Sequence, residues 1–565
     1  MAHLKQSVRK GGRVYLSIVE SYHKDGISKT RTIKSLGYLD ELERHHDDPV
    51  AKFTAEARGL TEARKKENAP VHMSFTQKEK ISMRSANTVN TGHAVLSYYY
   101  HRLEIDRFWA NRRMRGGFKF DPNAIFKLLV YMRVISPSSK AKAYALKGRL
   151  IDRTDFTDDD MYRALGFFAG YEADLVKWVY DRLAKGGLTD SEYVYYDVTN
   201  YYFEIEEEDA LRKRGVSKEH RKSPIVQMGL LVDKAGIPID YRLFEGNTLD
   251  SQTLMPVLSD LKARHKAGHI CVVADKGLNT GDNMAANILA GNGFVFSQSV
   301  RLATKELKGW IKSPDGYKGD DGFRIKSRIR PKAIRVTGPD GQKQKVDVDV
   351  LEVAFWSRDF AVRQASERAK VIEKSLSAVR RGGLSSAKSK TALRYVTDTA
   401  VVLRTGELAD HVLGLDTAKI AQEAEMDGYY CIVTNELDKG PREVIDAYRG
   451  LWRIEDAFKV TKPVLEARPV YVSRHDHIRA HFMTCYTALL LLRLIQADLG
   501  WQYPASAIAK DLSEANGVRM KDNHFLFSHR TELTDRLAKL CGIDLSRLVL
   551  SAKDLKDLIA KTKKR

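Results

Sequence analysis

The stretch Tyr193–Glu204, YVYYDVTNYYFE, decides how the rest of the chain reads. It consists almost wholly of aromatic and β-branched residues, which fit a pleated, partly buried surface, so it predicts a strand. Asp197 stands in its middle, where a carboxylate is costly unless something compensates it. Downstream, IVQMGLLVD (225–233) and IPIDYRLFEG (237–246) meet at the turn-prone DKAG and predict two further antiparallel strands. An αβαβ rhythm follows. LDSQTLMPVLSDLKARH (249–265) reads as a helix and HICVVAD (269–275) as a short buried strand; LNTGDNMAANILAGNG (278–293) reads as a helix closed by glycine and FVFSQSV (294–300) as a strand. Three antiparallel strands followed by alternating helices and buried strands predict an α/β fold: a mixed sheet with helices on its faces.

The 565 residues exceed the usual span of one domain, and six segments are expected. Residues 1–84 open with RVYLSIVESY and SKTRTIKSLGYL around KDG, a β-hairpin pattern. Residues 85–190 repeat apolar positions at three and four, with scattered basic residues such as Arg112, Arg113 and Lys140, and read as a helical DNA-gripping domain. A solvated helical face fits the same charge pattern. Residues 191–300 hold the sheet core. Residues 301–440 break the rhythm with PDG and GPDGQ turns and short strands, and read as a mostly β insertion. Helix returns over 441–500, and 501–565 reads as a helical tail with a frayed basic end.

Composition narrows the chemistry. Lys and Arg number 94 against 73 Asp and Glu, a formal charge of +21, which suits a polyanionic partner because cations set against phosphates release condensed counterions. The four cysteines are far apart, which excludes a disulfide scaffold and a cysteine-type zinc module. No G-x-x-x-x-G-K-[ST] and no H-E-x-x-H occurs; His477 and His481 are spaced i,i+4 but lack a third ligand in sequence. The N-terminus has no apolar core of an export signal, and ALLLLRLI (488–495) is short for a bilayer, so a soluble, cytoplasmic protein without a membrane partner is expected.

Two further carboxylates join Asp197. Asp275 ends the apolar strand HICVVAD, at the carboxyl end where α/β sheets place ligands. Glu455 lies in YRGLWRIEDAFKVTK (448–462). At 100° per residue along one continuous helix, Tyr448, Trp452, Glu455, Lys459 and Lys462 share one narrow face. Leu451, Ile454 and Phe458 form the core stripe, and Arg449 and Arg453 a basic flank. A surface ladder from Glu455 to Lys459 is the plainer alternative. Three converging carboxylates repel unless cations lie between them. Two Mg²⁺ ions would remove that cost and serve in-line attack on phosphorus, with lysines on the phosphates and an aromatic ring on an unpaired base.

A strand Asp, a second Asp ending a later strand and a Glu on a helix beyond an insertion resemble the RNase H-like DDE transposases of bacterial insertion sequences. Around Glu455 the sequence is similar to the Y-x2-R-x3-E-x6-K signature of the IS-four-like branch: Tyr448, Glu455 and Lys462 match, and W-x-I-E-x-x-F-K-x-x-K…R-P-V-Y runs from Trp452 to Tyr471. The signature arginine position holds Leu451, with Arg449 and Arg453 on either side. The resemblance implies an RNase H-like core interrupted by a β-rich domain, with Asp197, Asp275 and Glu455 holding two Mg²⁺, for which Mn²⁺ would substitute. It also implies binding of the element's terminal inverted repeats, cleavage, joining to target DNA, and a homodimer pairing the two ends. Tyr448, Arg449, Trp452, Arg453, Lys459 and Lys462 are the expected DNA contacts. A non-catalytic DNA binder derived from such an enzyme, and an RNase H-like nuclease, are the competing expectations.

Overall fold

The structure, a computed structural model, describes all residues except 1, 10, 25–26, 68–69, 79, 81–86, 117–118, 153, 217–222, 266–267, 339–340, 381–390, 402–409 and 565. The turn residues Asp25, Gly26, Pro339 and Asp340 and the expected boundary at 84–85 therefore lie outside the described residues. The chain divides into two compact units, Met1–Met83 and Arg84–Arg565.

In the first unit, β1 (Ala2–Val8), β2 (Val14–Lys24) and β3 (Ile27–Tyr38) form an antiparallel sheet in the order β1-β2-β3. The expected hairpin is β2–β3, and β1 adds a third strand. After the short α1 (Leu39–Leu42), helix α2 (Pro49–Glu67) packs on β1, and Ala2 of β1, Ile18 of β2 and Ala57 of α2 form a buried cluster.

The second unit begins with β4 (Thr88–Asn90) and the helices α3 (His93–Arg102), α4 (Ile105–Gly116), α5 (Pro122–Ile135), α6 (Lys140–Ala145), α7 (Asp158–Ala169) and α8 (Glu172–Lys185). Local chemistry sets their starts: Asp121 caps α5 ahead of Pro122, and Thr157 and Asp160 form a capping box on α7. The sheet follows, as β5 (Tyr193–Tyr202), β6 (Ile225–Asp233), β7 (Pro238–Glu245), α9 (Asp250–His265), β8 (Cys271–Ala274), α10 (Gly281–Leu289) and β9 (Gly293–Gln298). Their order is β7-β6-β5-β8-β9, with β5–β8 and β8–β9 parallel and the other pairs antiparallel. This is the mixed sheet, with helices on its faces, that the rhythm of the sequence predicts.

The segment from 301 to 440 differs from a separate β insertion. After α11 (Lys305–Lys312) come β10 (Lys318–Gly319), β11 (Phe323–Thr337) and β12 (Lys343–Ser357), then α12 (Arg358–Arg380), β13 (Val396–Val401), β14 (Asp410–Leu415), α13 (Thr417–Ala424) and β15 (Tyr429–Thr434). Strand β15 pairs with β9, and β12 with β15, so the core sheet continues outward to nine strands, β10-β11-β12-β15-β9-β8-β5-β6-β7. The polar edge of β9 is covered by chain that returns to it 130 residues later, which removes an exposed sheet edge.

The chain ends with α14 (Pro441–Arg449), α15 (Trp452–Lys459), a π-helical turn at Val460–Val464, α16 (His475–Asp498), α17 (Ala505–Glu514), β16 (Asn516–Arg519), β17 (His524–Phe527), α18 (Glu532–Cys541), β18 (Val549–Ser551) and α19 (Ala552–Thr562). The expected helical tail thus contains three short strands, which form a sheet in the order β18-β17-β16-β4. Helix α19 is packed at its last residue: Thr562 is buried and donates to Ser97 on α3 at 2.8 Å, while Arg565 of the expected basic end lies outside the described residues. Helix α16 is long and apolar enough to cross a membrane, but 94% of its apolar window is buried inside the protein, against α3, α5, α7 and β7. One continuous core joins α3–α8, α14–α19 and one face of the sheet. A second, with α9 and α10, fills the other face.

Candidate active site

Side chains alternate between the faces of a strand. On β5, Tyr193, Tyr195 and Tyr201 belong to the core beneath α14–α16, while Val194, Tyr196 and Val198 face α9 and α10. Asp197 therefore shares the face of Tyr195 and Tyr201, half-buried among buried neighbours. The parallel ladder pairs Tyr193 with Cys271, Val194 with Val272 and Tyr195 with Val273. The pairing stops there and β8 ends at Ala274; the same register continued for two residues would set Asp197 opposite Asp275. Asp275 has the parity of Cys271 and Val273, so both carboxylates rise from the same face at the carboxyl end of β8.

Asp275 is held by neighbours on three other elements. Ser297 of β9 donates to its Oδ1 at 2.8 Å, and Tyr448 of α14 donates to the same oxygen at 3.1 Å. The Tyr448 hydroxyl lies 2.7 Å from that of Tyr430 on β15. A phenol has one proton, so with Tyr448 donating to Asp275, Tyr430 donates to Tyr448. Burial, then Tyr430 and Asp275, raise the Tyr448 phenol far above its ordinary value, and burial raises that of Tyr430. Both remain protonated donors at neutral pH.

Glu455 comes from above. Helix α14 lies over β8, β9 and β15, and α15 over β5 and β6. The Arg453 guanidinium sits 5.8 Å from the Tyr195 ring centre at one end of α15, and Thr461, just beyond its other end, bonds the Tyr201 hydroxyl at 2.9 Å. The helix therefore passes over Asp197. Ile454, Ala457 and Phe458 face the sheet, as the expected core stripe requires for Ile454 and Phe458, and Leu451 packs against the same core. Asp456 reaches Arg493 of α16 at 2.7 Å and so marks the outer, α16-facing side. Glu455, 100° round the helix from Asp456, lies off the buried face and is exposed. Among the described residues, no three acidic, histidine or cysteine side chains stand close enough to hold an ion. Asp197, Asp275 and Glu455 therefore do not form a closed ligand set here, and the side chains that reach Asp275 are Ser297 and Tyr448.

The helix across 441–462 is not continuous. A break at Gly450 and Leu451 separates α14 from α15, and a Cβ on Gly450 would lie 2.0 Å from the Tyr195 hydroxyl. Glycine is required there by close approach to the sheet. Because the turn resets the helix, Tyr448 leaves the face of Glu455 and points down to Asp275 instead. Of the other expected DNA contacts, Trp452 is 57% exposed and Lys459 is exposed beside it. Arg449 is exposed, 5.3 Å from the Phe323 ring. Arg453 stacks over Trp452 at 5.2 Å, and the Lys462 ammonium lies 5.9 Å from the Tyr201 ring.

The i,i+4 histidine pair is structural. His481 is buried, with Lys140 3.1 Å from its Nδ1 and the Ala467 carbonyl 3.0 Å from its Nε2. Burial, then Lys140 and Arg133, hold it neutral. Sequence reasoning missed Ser297 and Tyr430. The one signal for Ser297 was a hydroxyl inside the apolar run FVFSQ; Tyr430 gave none, since its strand pairs with β9 only in the fold.

Comparison with known proteins follows this geometry. The family described as "Transposase DDE domain" matches residues 203–491, more than half of the chain and inclusive of Asp275 and Glu455; Asp197 lies six residues before the matched span. The family "IS1634 family transposase, N-terminal domain" matches residues 3–71. No curated protein matches. Among solved structures, a piggyBac transposase synaptic complex with hairpin DNA is similar over 84% of this chain and 85% of that chain, with a TM-score of 0.34 and 8% identity.

Proposed function

Because the chain belongs to the DDE transposase family, and is therefore a DNA transposase, we propose that Asp197, Asp275 and Glu455 are its catalytic carboxylates. The observation that supports this reading is the parallel β5–β8 ladder, beyond whose end Asp197 and Asp275 follow on adjacent strands, with α15 packed on β5. The donor set suits divalent ions: two hard carboxylates one strand apart repel without a cation between them. Both hydroxyl bonds to Asp275 fall on Oδ1, so Oδ2 is left for a ligand. Asp197 and Asp275, joined by Glu455 as α15 settles on DNA, would hold two Mg²⁺. When bound, the ions activate the attacking water or 3′-hydroxyl and stabilise the leaving oxygen.

The chain's own groups position the reactants. Ser297 and the Tyr430–Tyr448 pair fix the rotamer of Asp275. Lys459 and Lys462 hold backbone phosphates, with Arg449 and Arg453 taking the part of the cation absent at Leu451. Trp452, exposed on α15 beside Lys459, offers a ring for an unpaired base. The spacing of Tyr448, Glu455 and Lys462 supports placement in the IS-four-like branch, and the charge of +21 supports DNA as the partner; a homodimer pairing two inverted-repeat ends on cytoplasmic DNA belongs to the same reading.

The test is cleavage and strand transfer with Mg²⁺ on the DNA flanking this gene, for wild type and for Asp197→Asn, Asp275→Asn and Glu455→Gln, with end binding measured in parallel. All three variants should bind the ends and form no joined product. A variant that joins as wild type does removes its residue from the catalytic set.

A further inference from the structure

A basic cavity opens one residue from Asp275. It has a volume of about 510 Å³ and lies where β8 and β9 end, against α11 and α13. Lys276, Arg301, Lys308, Lys312, Arg394 and Lys419 line it, against two carboxylates, Glu423 and Glu425. Those acids are already engaged: Arg394 reaches Glu423 at 2.8 Å with Arg301 at 3.8 Å, and Lys312 reaches Glu425 at 2.7 Å. Lys419 donates to the Arg394 carbonyl at 2.8 Å and has no carboxylate partner among the described residues. Lys276 and Lys308 have no carboxylate partner among the described residues.

These cations come from five separate stretches between 276 and 419, so the fold, not a local charge run, assembles them. Leu307 and Ile311 bury one face of α11, which turns Lys308 and Lys312 along the cavity wall. Packing so many like charges around a concavity is unfavourable unless an anion occupies it, because low-dielectric walls focus the field. Lys276, which lines the cavity, follows Asp275 directly in sequence.

We propose that this cavity binds the phosphodiester backbone of the DNA next to the scissile phosphate, leading the strand across the carboxyl ends of β8 and β9 to Asp275. The contacts are to phosphate and carry no sequence information. The inference rests on the transposase reading in needing DNA at Asp275. Its consequence for binding is separate, because each phosphate contact contributes about 0.9 to the slope of log K against log salt.

The experiment measures binding of the full chain to an end-containing duplex and to an unrelated duplex over a range of salt. Wild type is compared with Lys308→Gln/Lys419→Gln and with Lys308→Arg/Lys419→Arg. The glutamine pair should lower the slope by about 1.8 on both duplexes, and the arginine pair should keep the wild-type slope. An unchanged slope in a folded, DNA-binding glutamine variant overturns the proposal while leaving the transposase reading intact. Failure of wild type to bind either duplex overturns that reading itself. Inorganic pyrophosphate is the third arm. Pyrophosphate that raises the thermal midpoint of wild type but not of the glutamine variant, with the DNA slope unchanged, assigns the cavity to a free polyphosphate and again overturns the DNA assignment.

Discussion

Glu455 and Asp456 are adjacent carboxylates on α15, and the proposed function gives them different work. Asp456 meets Arg493, a guanidinium only 2% exposed whose Nη1 lies 2.7 Å from the carboxylate and 2.9 Å from the Gln496 amide oxygen. Its Nε and Nη2 are buried without a hydrogen-bond partner, so Asp456 carries most of the compensation for this charge. Burial lowers the Arg493 pKa and Asp456 opposes that shift. Breaking a fully buried pair costs about 3–5 kcal/mol. The Asp456 side chain is 40% exposed, so solvent screening brings the expected loss for Asp456→Asn to about 2 kcal/mol. Glu455 is exposed and makes no ion pair among the described residues, so Glu455→Gln should change stability by less than about 0.5 kcal/mol. Urea unfolding followed by tryptophan fluorescence, paired with cleavage assayed well below the unfolding midpoint, separates the two. Asp456→Asn should unfold earlier and still cut; Glu455→Gln should unfold as wild type does and not cut. Arg493→Met should cost less than Asp456→Asn, because it removes the buried charge instead of stranding it. Loss of cleavage in Asp456→Asn at wild-type stability would falsify the assignment, as would equal destabilisation by both substitutions.

Three further outcomes follow from the same geometry. Tyr448→Phe removes a hydroxyl donor to the Asp275 carboxylate, a bond worth about 1.5–3 kcal/mol; cleavage should fall ten-fold or more while end affinity, measured by gel shift, stays within two-fold. Lys140 is buried and its pKa is pushed down to about 7, by burial and then by Arg133. The unfolded chain therefore holds this proton where the folded one does not, and stability rises with pH above about 7 towards the ordinary lysine value. Between pH 7 and 9.5 the gain should be about 3 kcal/mol, read from urea midpoints, and Lys140→Met should flatten it. Finally, if Asp197 and Asp275 repel across their strand spacing, millimolar Mg²⁺ should raise the thermal midpoint of wild type and leave Asp197→Asn/Asp275→Asn unmoved; chelation should abolish cleavage and the shift together.

The sheet was legible because its strands announce themselves locally. Strand β6 is buried along its whole length and reads as an apolar run broken only by Gln227 before its terminal Asp233, and in β5 Asp197 stands out among aromatic and β-branched neighbours. What failed to show were features made by distant pairing. Strands β16, β17 and β18 are three or four residues long, below any periodic signal, and exist because β16 pairs with β4 more than 400 residues away. The segment from 301 to 440 looked separate for the same reason: nothing in GYYCIVT says that its partner is β9.

The helix carrying Glu455 marks the boundary between the two kinds of information. A helical wheel assumes one axis, and over Trp452–Lys459 that assumption holds, giving the buried stripe and the exposed acid correctly. It fails at Gly450, where the chain must approach Tyr195 more closely than any side chain permits. Tyr448, four residues before Trp452, therefore belongs to a different helix and bonds Asp275 rather than lying beside Glu455. The break is useful to the site. A single straight helix over β5 would leave Asp275 without its phenol donor, and one over β8 would carry Glu455 away from Asp197. Two helices joined at a glycine let one segment of sequence serve both strands, so Gly450→Ala should disturb Asp275 and Glu455 at once. Wild-type cleavage by that variant would mean that the break is incidental to catalysis.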